Sequence, residues 1–558
     1  MKKLIILILL ISGIAAFAQI APHKYYVQFT DKNQNPYSLN HPEDFLTQRS
    51  IQRRLNQGIG YDDKDLPVTP SYIEAVRNIG AVILNPTKWL NGTTIYLADT
   101  NLLGAIRNLP FVASVTHFTP HPVRNIEPVD KSGQEKIGAS LKPSDLQLKS
   151  TKSYNYGESY TQIHQVNGDA MHDSGFTGQG IVIAQLDDGF YHVNQHPAFD
   201  SLYAHNQILG NKDFLHDGMP FFDDPNADHG MCVLSIMGGN LPGHLIGAAP
   251  KASFWLLRTE EYYSEYQIEE YNWVSGSEFA DSVGADIITS SLGYTTFDSL
   301  FPSHTCADMN GHSTVAAIGA NTAFSRGIVV VVSAGNEGNN MSWRCVSTPA
   351  DADYAMAIAA VDGNGIRASF SSVGVDTAGR VKPNLAAMGS GTVIADPFGS
   401  YTYGSGTSFA APIIAGMAAC LLQATPNATN YMIKSALEQA GSQYSTPDSL
   451  LGYGIPNTYR AMIHMGISNL TGSSYLNIYP NPFDQGFSIQ FTSPVRESLQ
   501  FTFYNAIGKT ILQRTISASA GENKVSFNAF NDIPAGIYFI RLNGNSFNRT
   551  SQLIKLPN

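Results

Sequence analysis

Four polar side chains stand where an apolar run gives way to a turn. Ile181 to Asp187 reads as a buried strand that ends in the carboxylate of Asp187, followed by Asp188-Gly189. His229 opens the apolar stretch Gly230-Met231-Cys232-Val233-Leu234. Val329 to Ser333 leads into Ala334-Gly335-Asn336-Glu337-Gly338 and so offers an amide at a strand end. Gly404-Ser405-Gly406-Thr407-Ser408 runs into Phe409 to Leu422, a helix with no polar face, which is a buried helix. Its first turn presents free N–H groups and a positive dipole end beside Ser408. Pro412 reads as a proline of that first turn. A hydroxyl, an imidazole, a carboxylate and an amide donor are what nucleophilic attack on a carbonyl carbon needs. Singly each is ordinary, and Ser408 by itself reads as a helix N-cap.

In the chain order Asp187, His229, Asn336, Ser408, the four resemble the subtilisin-like serine proteases, the subtilases. The resemblance implies their roles. Ser408 is the nucleophile, His229 the general base and acid, and Asp187 the group that orients the imidazole. Asn336 donates to the oxyanion. Ser291-Leu292-Gly293 pairs with the substrate backbone as an added strand. The G-x-S-x-G elbow of the α/β-hydrolases is absent, and their residue order does not fit. Further matches are Gly247-Ala248-Ala249-Pro250, Ser369-Phe370-Ser371-Ser372 and Lys382-Pro383-Asn384-Leu385. Departures are Met231 for the usual Thr, Cys232 for the usual His and Met388 for the usual Pro; none removes a group the chemistry needs. The rival reading is a catalytically inactive surface binding protein on the same fold.

Those side chains need a scaffold. Strands at 181–187, 253–258, 286–292, 328–333 and 355–361 alternate with helices near 229–237, 268–283, 312–326 and 408–423. Such alternation of apolar strands with helices argues an α/β fold, a parallel sheet with helices on both faces. Ligands bind such sheets outside the carboxyl ends of the strands, where Asp187, Ser291-Leu292-Gly293 and Asn336 all fall. This catalytic domain is expected over residues 151–466.

The rest of the chain reads as its escort. Residues 1–18 have the basic start, apolar run and Ala16-Phe17-Ala18 of a secretory signal, too short to span a bilayer. Residues 19–120 read as a small α+β domain placed like a subtilase propeptide, and 121–150 as a proline-bearing linker that contains the maturation cut. Residues 475–558 read as a C-terminal β-sandwich of short alternating strands. Tyr479-Pro480-Asn481-Pro482 and Pro534-Ala535-Gly536-Ile537-Tyr538 resemble the type A sorting domain of the type IX secretion system. The expected partners are therefore protein or peptide substrates, the chain's own propeptide and that secretion machinery, at a secreted or cell-surface address.

With 14% charged residues, a net charge of −11 and no basic cluster, nucleic acid is not an expected partner. No stretch after the signal is apolar enough for a transmembrane segment. Of four cysteines, Cys232 and Cys420 read as core residues. Cys306 and Cys345 lie in loops that follow strands at one end of the sheet, and export permits a disulfide between them. No cofactor is required by the expected chemistry. Calcium is possible as a structural ion, although Asp308 and Asn310 offer two oxygens where six to eight are needed. His192 and His196 lie in a loop with Asn and Pro, a poor metal site. Asp188 reads as solvated turn chemistry, and Glu260, Glu261, Glu269 and Glu270 as a solvated or rim cluster.

Overall fold

The computed structural model describes residues 23–118, 136–137, 153–465 and 476–556, apart from short gaps at 263, 299–302, 375–378, 482, 494, 507, 520, 529, 531–532 and 545–547. The signal segment and nearly all of the expected linker lie outside the described residues.

The centre of the molecule is a seven-stranded sheet whose neighbouring strands all run parallel. Its members are β6 (Val182–Asp187), β7 (Ile208–Asp213), β8 (Ser253–Arg258), β9 (Ile287–Ser290), β10 (Val329–Ser333), β11 (Met356–Val361) and β12 (Leu385–Met388). They lie in the spatial order β12-β11-β10-β9-β6-β8-β7. Every residue of β6, β9, β10, β11 and β12 is buried, as a sheet covered on both faces requires. One face packs on α4 (His229–Gly238) and α7 (Thr407–Ala424) and the other on α5 (Ile268–Val283) and α6 (Val315–Ser325). Both edge strands, 208–213 and 385–388, went unread in the sequence. β7 carries its polar residues, Asn211, Lys212 and Asp213, together in its second half with no alternation to mark a strand, and β12 is a four-residue run that begins two residues after a proline.

The chain before Ser408 is a hairpin of β13 (Ser390–Ala395) and β14 (Tyr401–Ser405), also unread in the sequence. Among the described residues α7 is the one helix long and apolar enough to cross a membrane, and every residue from Thr407 to Leu421 is buried in the domain. Cys232 and Cys420 are buried and lie outside the disulfide. Cys306 and Cys345 form a disulfide that closes 39 residues. Opening a loop of that length is expected to lower stability by about 3–4 kcal/mol. A Cys306→Ser, Cys345→Ser chain that melts within about 0.5 kcal/mol of the parent would contradict this.

Residues 23–118 fold as an antiparallel sheet, β1 (Lys24–Phe29), β2 (Val82–Thr87), β3 (Gly92–Tyr96) and β4 (Val112–His117), in the order β2-β3-β1-β4. Helices α1 (Gln48–Gln57), α2 (Pro70–Asn78) and α3 (Leu103–Arg107) accompany it. This domain docks on α5. Glu278 accepts the backbone N–H groups of Lys88 (2.8 Å) and Trp89 (2.9 Å). Asp281 is fully buried and receives Arg53 (2.6 Å), Arg54 (2.7 Å) and Lys88 (3.2 Å). Burial alone would push the Asp281 carboxyl up, but Lys88, Arg54 and Arg53 outweigh it and hold the group well below the usual carboxylate range. An Arg-rich amphipathic helix usually keeps its guanidinium groups in water. Here Arg53 and Arg54 are buried because Asp281 of the peptidase and, for Arg54, Asp65 of the same domain (2.8 Å) supply the counter-charge.

The C-terminal unit is a sandwich. One sheet has three strands, β15 (Leu476–Tyr479), β16 (Gly486–Ser493) and β19 (Gly521–Asn528). The other has four, β17 (Glu497–Asn505), β18 (Thr510–Ala518), β20 (Gly536–Asn543) and β21 (Asn548–Lys555). Their facing sides share a core that includes Phe483, Phe487, Phe501, Phe503 and Ile540.

Candidate active site

The acid and the imidazole come first. Strand β6 delivers Asp187 fully buried, and helix α4 begins at His229. His229 Nδ1 lies 2.6 Å from Asp187 Oδ1. That approach needs a glycine after the histidine. A Cβ on Gly230 would stand 2.3 Å from the Gly189 carbonyl oxygen and 2.9 Å from the Asp187 Cβ. Asp187 is fixed from its other side as well, because Gln185 Nε2 donates to Asp187 Oδ2 (3.0 Å) and to the Gly230 carbonyl (2.8 Å). Sequence reasoning missed Gln185. The available signal was a lone polar side chain in a buried strand two residues before the acid, hence on the same face.

Asp188 corrects the sequence reading. It is buried, and its Oδ1 accepts the Gly230 N–H at 3.3 Å. Burial pushes its carboxyl well above the usual range, with Asp187 and Glu260 adding and His229 opposing. It is not a solvated turn acid.

The serine comes from the other side of the cleft. The His229 and Phe409 rings are 6.0 Å apart, which sets the imidazole against the first turn of α7. Ser408 is the second residue of that helix and is buried. Its hydroxyl donates to the Ser291 carbonyl at 3.1 Å. Pro412 falls deeper than the first turn, as the sixth residue of α7. It therefore removes the N–H that would pair with the Ser408 carbonyl four residues back. The Ser291 hydroxyl takes that place, donating to the Ser408 carbonyl at 2.8 Å. Ser291 thus ties the end of β9 to the serine helix, a role its sequence context did not reveal. Leu292 is buried and Gly293 is exposed, so backbone is open at the end of this segment. A Cβ on Gly293 would meet the Ser347 hydroxyl at 2.3 Å.

Asn336 follows β10, where Gly335 takes a left-handed φ of 102°. Asn336 Oδ1 accepts from Thr407 N–H (2.9 Å) and Thr407 Oγ1–H (3.0 Å). The amide NH2 is thereby held at the far end of the group. Thr407 is the second residue that sequence reasoning missed. It lies in the Gly-Thr-Ser run, but a hydroxyl beside Ser408 gives no sign that it faces an amide 71 residues away.

Calcium does not fit the turn proposed for it. Asp308 Oδ2 already accepts from Thr305 N–H and Oγ1–H, and Asn310 Oδ1 from the N–H groups of His312 and Ser313. Elsewhere Lys382 Nζ donates to the carbonyls of Ala350, Ala352 and Ala355 at 2.7–2.8 Å, so a side-chain ammonium fills that three-carbonyl cage. Among the described residues the one tight group of three ligand-type side chains is Asp187, Asp188 and His229, the acid–imidazole pair itself. The acidic run is likewise not a solvated rim: Glu260, Glu261, Glu269 and Glu270 are all buried.

The chain resembles known proteins along most of its length. A model described as "Subtilase family" matches residues 178–454. Subtilisin NAT of Bacillus subtilis subsp. natto is 30% identical over 303 residues, covering 54% of this chain and 70% of its own. The chain belongs to the subtilase family. Subtilisin of Bacillus pumilus (29% over 303 residues, 97% of its length) and subtilisin BL of Lederbergia lenta (30% over 300 residues, 97% of its length) align over the same 54% of the chain. Residues 24–136 match a "Peptidase S8 propeptide domain, Bacteroidota", and residues 477–556 a "Secretion system C-terminal sorting domain". This subtilase is a serine-type endopeptidase made with its own propeptide and exported by the type IX route to the cell surface or beyond it.

Proposed function

We propose that Ser408 attacks the scissile carbonyl while His229 takes its proton and returns it to the leaving amine. Asp187 holds the imidazole through Nδ1 and stabilises the imidazolium. The oxyanion is met by the Asn336 amide and the Ser408 N–H at the head of α7. Ser291, Leu292 and Gly293 pair with the substrate backbone. No cofactor is required for any of these steps. The observation that carries the reading is the 2.6 Å Asp187–His229 contact at the mouth of the helix that bears Ser408. Hydrolysis of an unfolded protein should stop with a sulfonyl fluoride. Turnover indifferent to that reagent and abolished by a chelator would contradict the assignment.

The N-terminal domain is proposed as inhibitor and folding aid, with the maturation cut inside the 121–150 linker. Its last described residue, Phe118, packs with Tyr26 against Tyr266 and Ile268. The chain is next described at β5 (Lys136–Ile137), paired antiparallel with Gly404–Ser405 just ahead of Ser408.

The sorting domain gives a separate expectation. None of the proposed catalytic residues lies beyond Ser408, and the last peptidase helix, α9 (Thr458–His464; α8 is Asn430–Gln439), ends well before residue 475. Deleting residues 475–558 should leave peptidase activity intact and stop release past the outer membrane of a host with the type IX system. Active truncated enzyme in the medium at full-length levels would contradict this.

A further inference from the structure

Strand β6 is buried along its whole length and apolar except at Gln185 and Asp187. The two are a pair of residues apart, so they share one face of the strand. That face meets α4. Gln185 Nε2 donates both to Asp187 Oδ2 (3.0 Å) and to the Gly230 carbonyl (2.8 Å). Gly230 directly follows His229, so one side chain joins the acid to the backbone of the turn that carries the imidazole.

The amide has only one sensible orientation. Turned over, it would set its oxygen against a carboxylate and a carbonyl, two acceptors. In the observed orientation Gln185 Oε1 is buried and has no hydrogen-bond partner among the described residues. Neither has the Thr289 hydroxyl, which stands at the same register on the adjacent strand β9. A buried amide oxygen left unpaired costs stability, and an apolar side chain would fill the strand without that cost. What the glutamine adds is its NH2 group.

That group also bears on which carboxyl carries the charge. Asp187 and Asp188 are adjacent and buried, and with His229 they bring one ligand-type atom each within 4.8 Å of the others. Two carboxyls so close resist ionising together, and donors to one of them favour its charged form. Asp187 receives the His229 Nδ1–H (2.6 Å), the Asp188 N–H (3.1 Å) and the Gln185 amide. Asp188 Oδ1 accepts the Gly230 N–H at a longer 3.3 Å, and burial pushes its carboxyl well above the usual range.

We propose that Gln185 is a positioning residue of the peptidase, which fixes the Asp187 carboxylate and the His229 turn together and keeps the negative charge of the two adjacent carboxyls on Asp187. This rests on the peptidase reading and adds a residue to it.

The test uses the secreted, matured protein with Gln185→Met, which keeps the length of the side chain and removes the donor. On a peptide substrate kcat is expected to fall roughly tenfold to a hundredfold with KM unchanged, the size of effect that follows from a misplaced catalytic group. Gln185→Glu, whose protonated carboxyl keeps one donor, should fall between the parent and Gln185→Met. In the parent the His229 Nδ1 proton, held against Asp187 at 2.6 Å, should give a far-downfield proton resonance. That resonance should move upfield or broaden in Gln185→Met. Adding Asp188→Asn to Gln185→Met leaves Asp187 as the one carboxyl of the two to hold the charge, and should restore kcat roughly threefold or more. An unchanged kcat in Gln185→Met, or a lowered kcat with the resonance where the parent has it, would make Gln185 a residue of the fold and overturn the proposal. A double variant no faster than Gln185→Met would overturn the charge assignment. No turnover by the parent would overturn the peptidase reading itself.

Discussion

Ser408→Ala is expected to reduce kcat by on the order of 10⁶, the loss known for the triad serine of subtilisin itself, and to leave the propeptide attached. The size follows from how the three groups act together. Without the hydroxyl, the His229–Asp187 pair has no proton to take, so the remaining members contribute almost nothing. Two further observations tie the mutation to maturation. The propeptide is clamped to α5 through Glu278 and Asp281, and β5 is paired beside Gly404–Ser405, next to the serine. A cut in the linker by this site would therefore sever the domain from the peptidase it is docked on. Purified Ser408→Ala, made in a host without other proteases, should migrate at the length of the signal-cleaved, uncut chain. A variant of mature length would show that another enzyme makes the cut, whatever the serine does in turnover.

Asn336→Ala is expected to lower kcat by about 10²–10³ with KM little changed. The amide's oxygen is fixed twice by Thr407, which sets the orientation of the NH2 that the proposed mechanism uses to meet charge developing in the transition state. A donor held in place beforehand needs no reorganisation when the oxyanion forms, so its loss falls on kcat. A tenfold rise in KM with unchanged kcat would make Asn336 a ground-state binding residue.

The framework of the peptidase was legible because its signals are local. β8 (Ser253–Arg258) and α5 (Ile268–Val283) have the ends their apolar patterns imply, and α7 is apolar all round. β7 and the β13–β14 hairpin were not legible, since their strand character depends on neighbours far along the chain. The same limit holds in the candidate site. Asp187, His229, Asn336 and Ser408 stand at element ends, where short sequence context announces them. Gln185 and Thr407 act through single contacts made only after folding, at 2.8–3.0 Å. The tie between Ser291 and the Ser408 carbonyl exists because Pro412 lies deeper in α7 than its sequence setting suggested. Burial was misread wherever charge meets charge. Asp188 and the glutamates of the Glu260–Glu270 run look solvated in the sequence, yet all of them are buried, and Arg53 and Arg54 are buried where Asp281 meets them.

The most direct test of the central claim is to label the mature protein with a sulfonyl fluoride and map the adduct by peptide mass spectrometry, in the parent and in His229→Ala. One adduct on Ser408 in the parent, and none in His229→Ala, is the expected result, because only a serine with its imidazole base is reactive enough. An adduct on another residue that tracks the loss of activity, or equal labelling of Ser408 without His229, would contradict it.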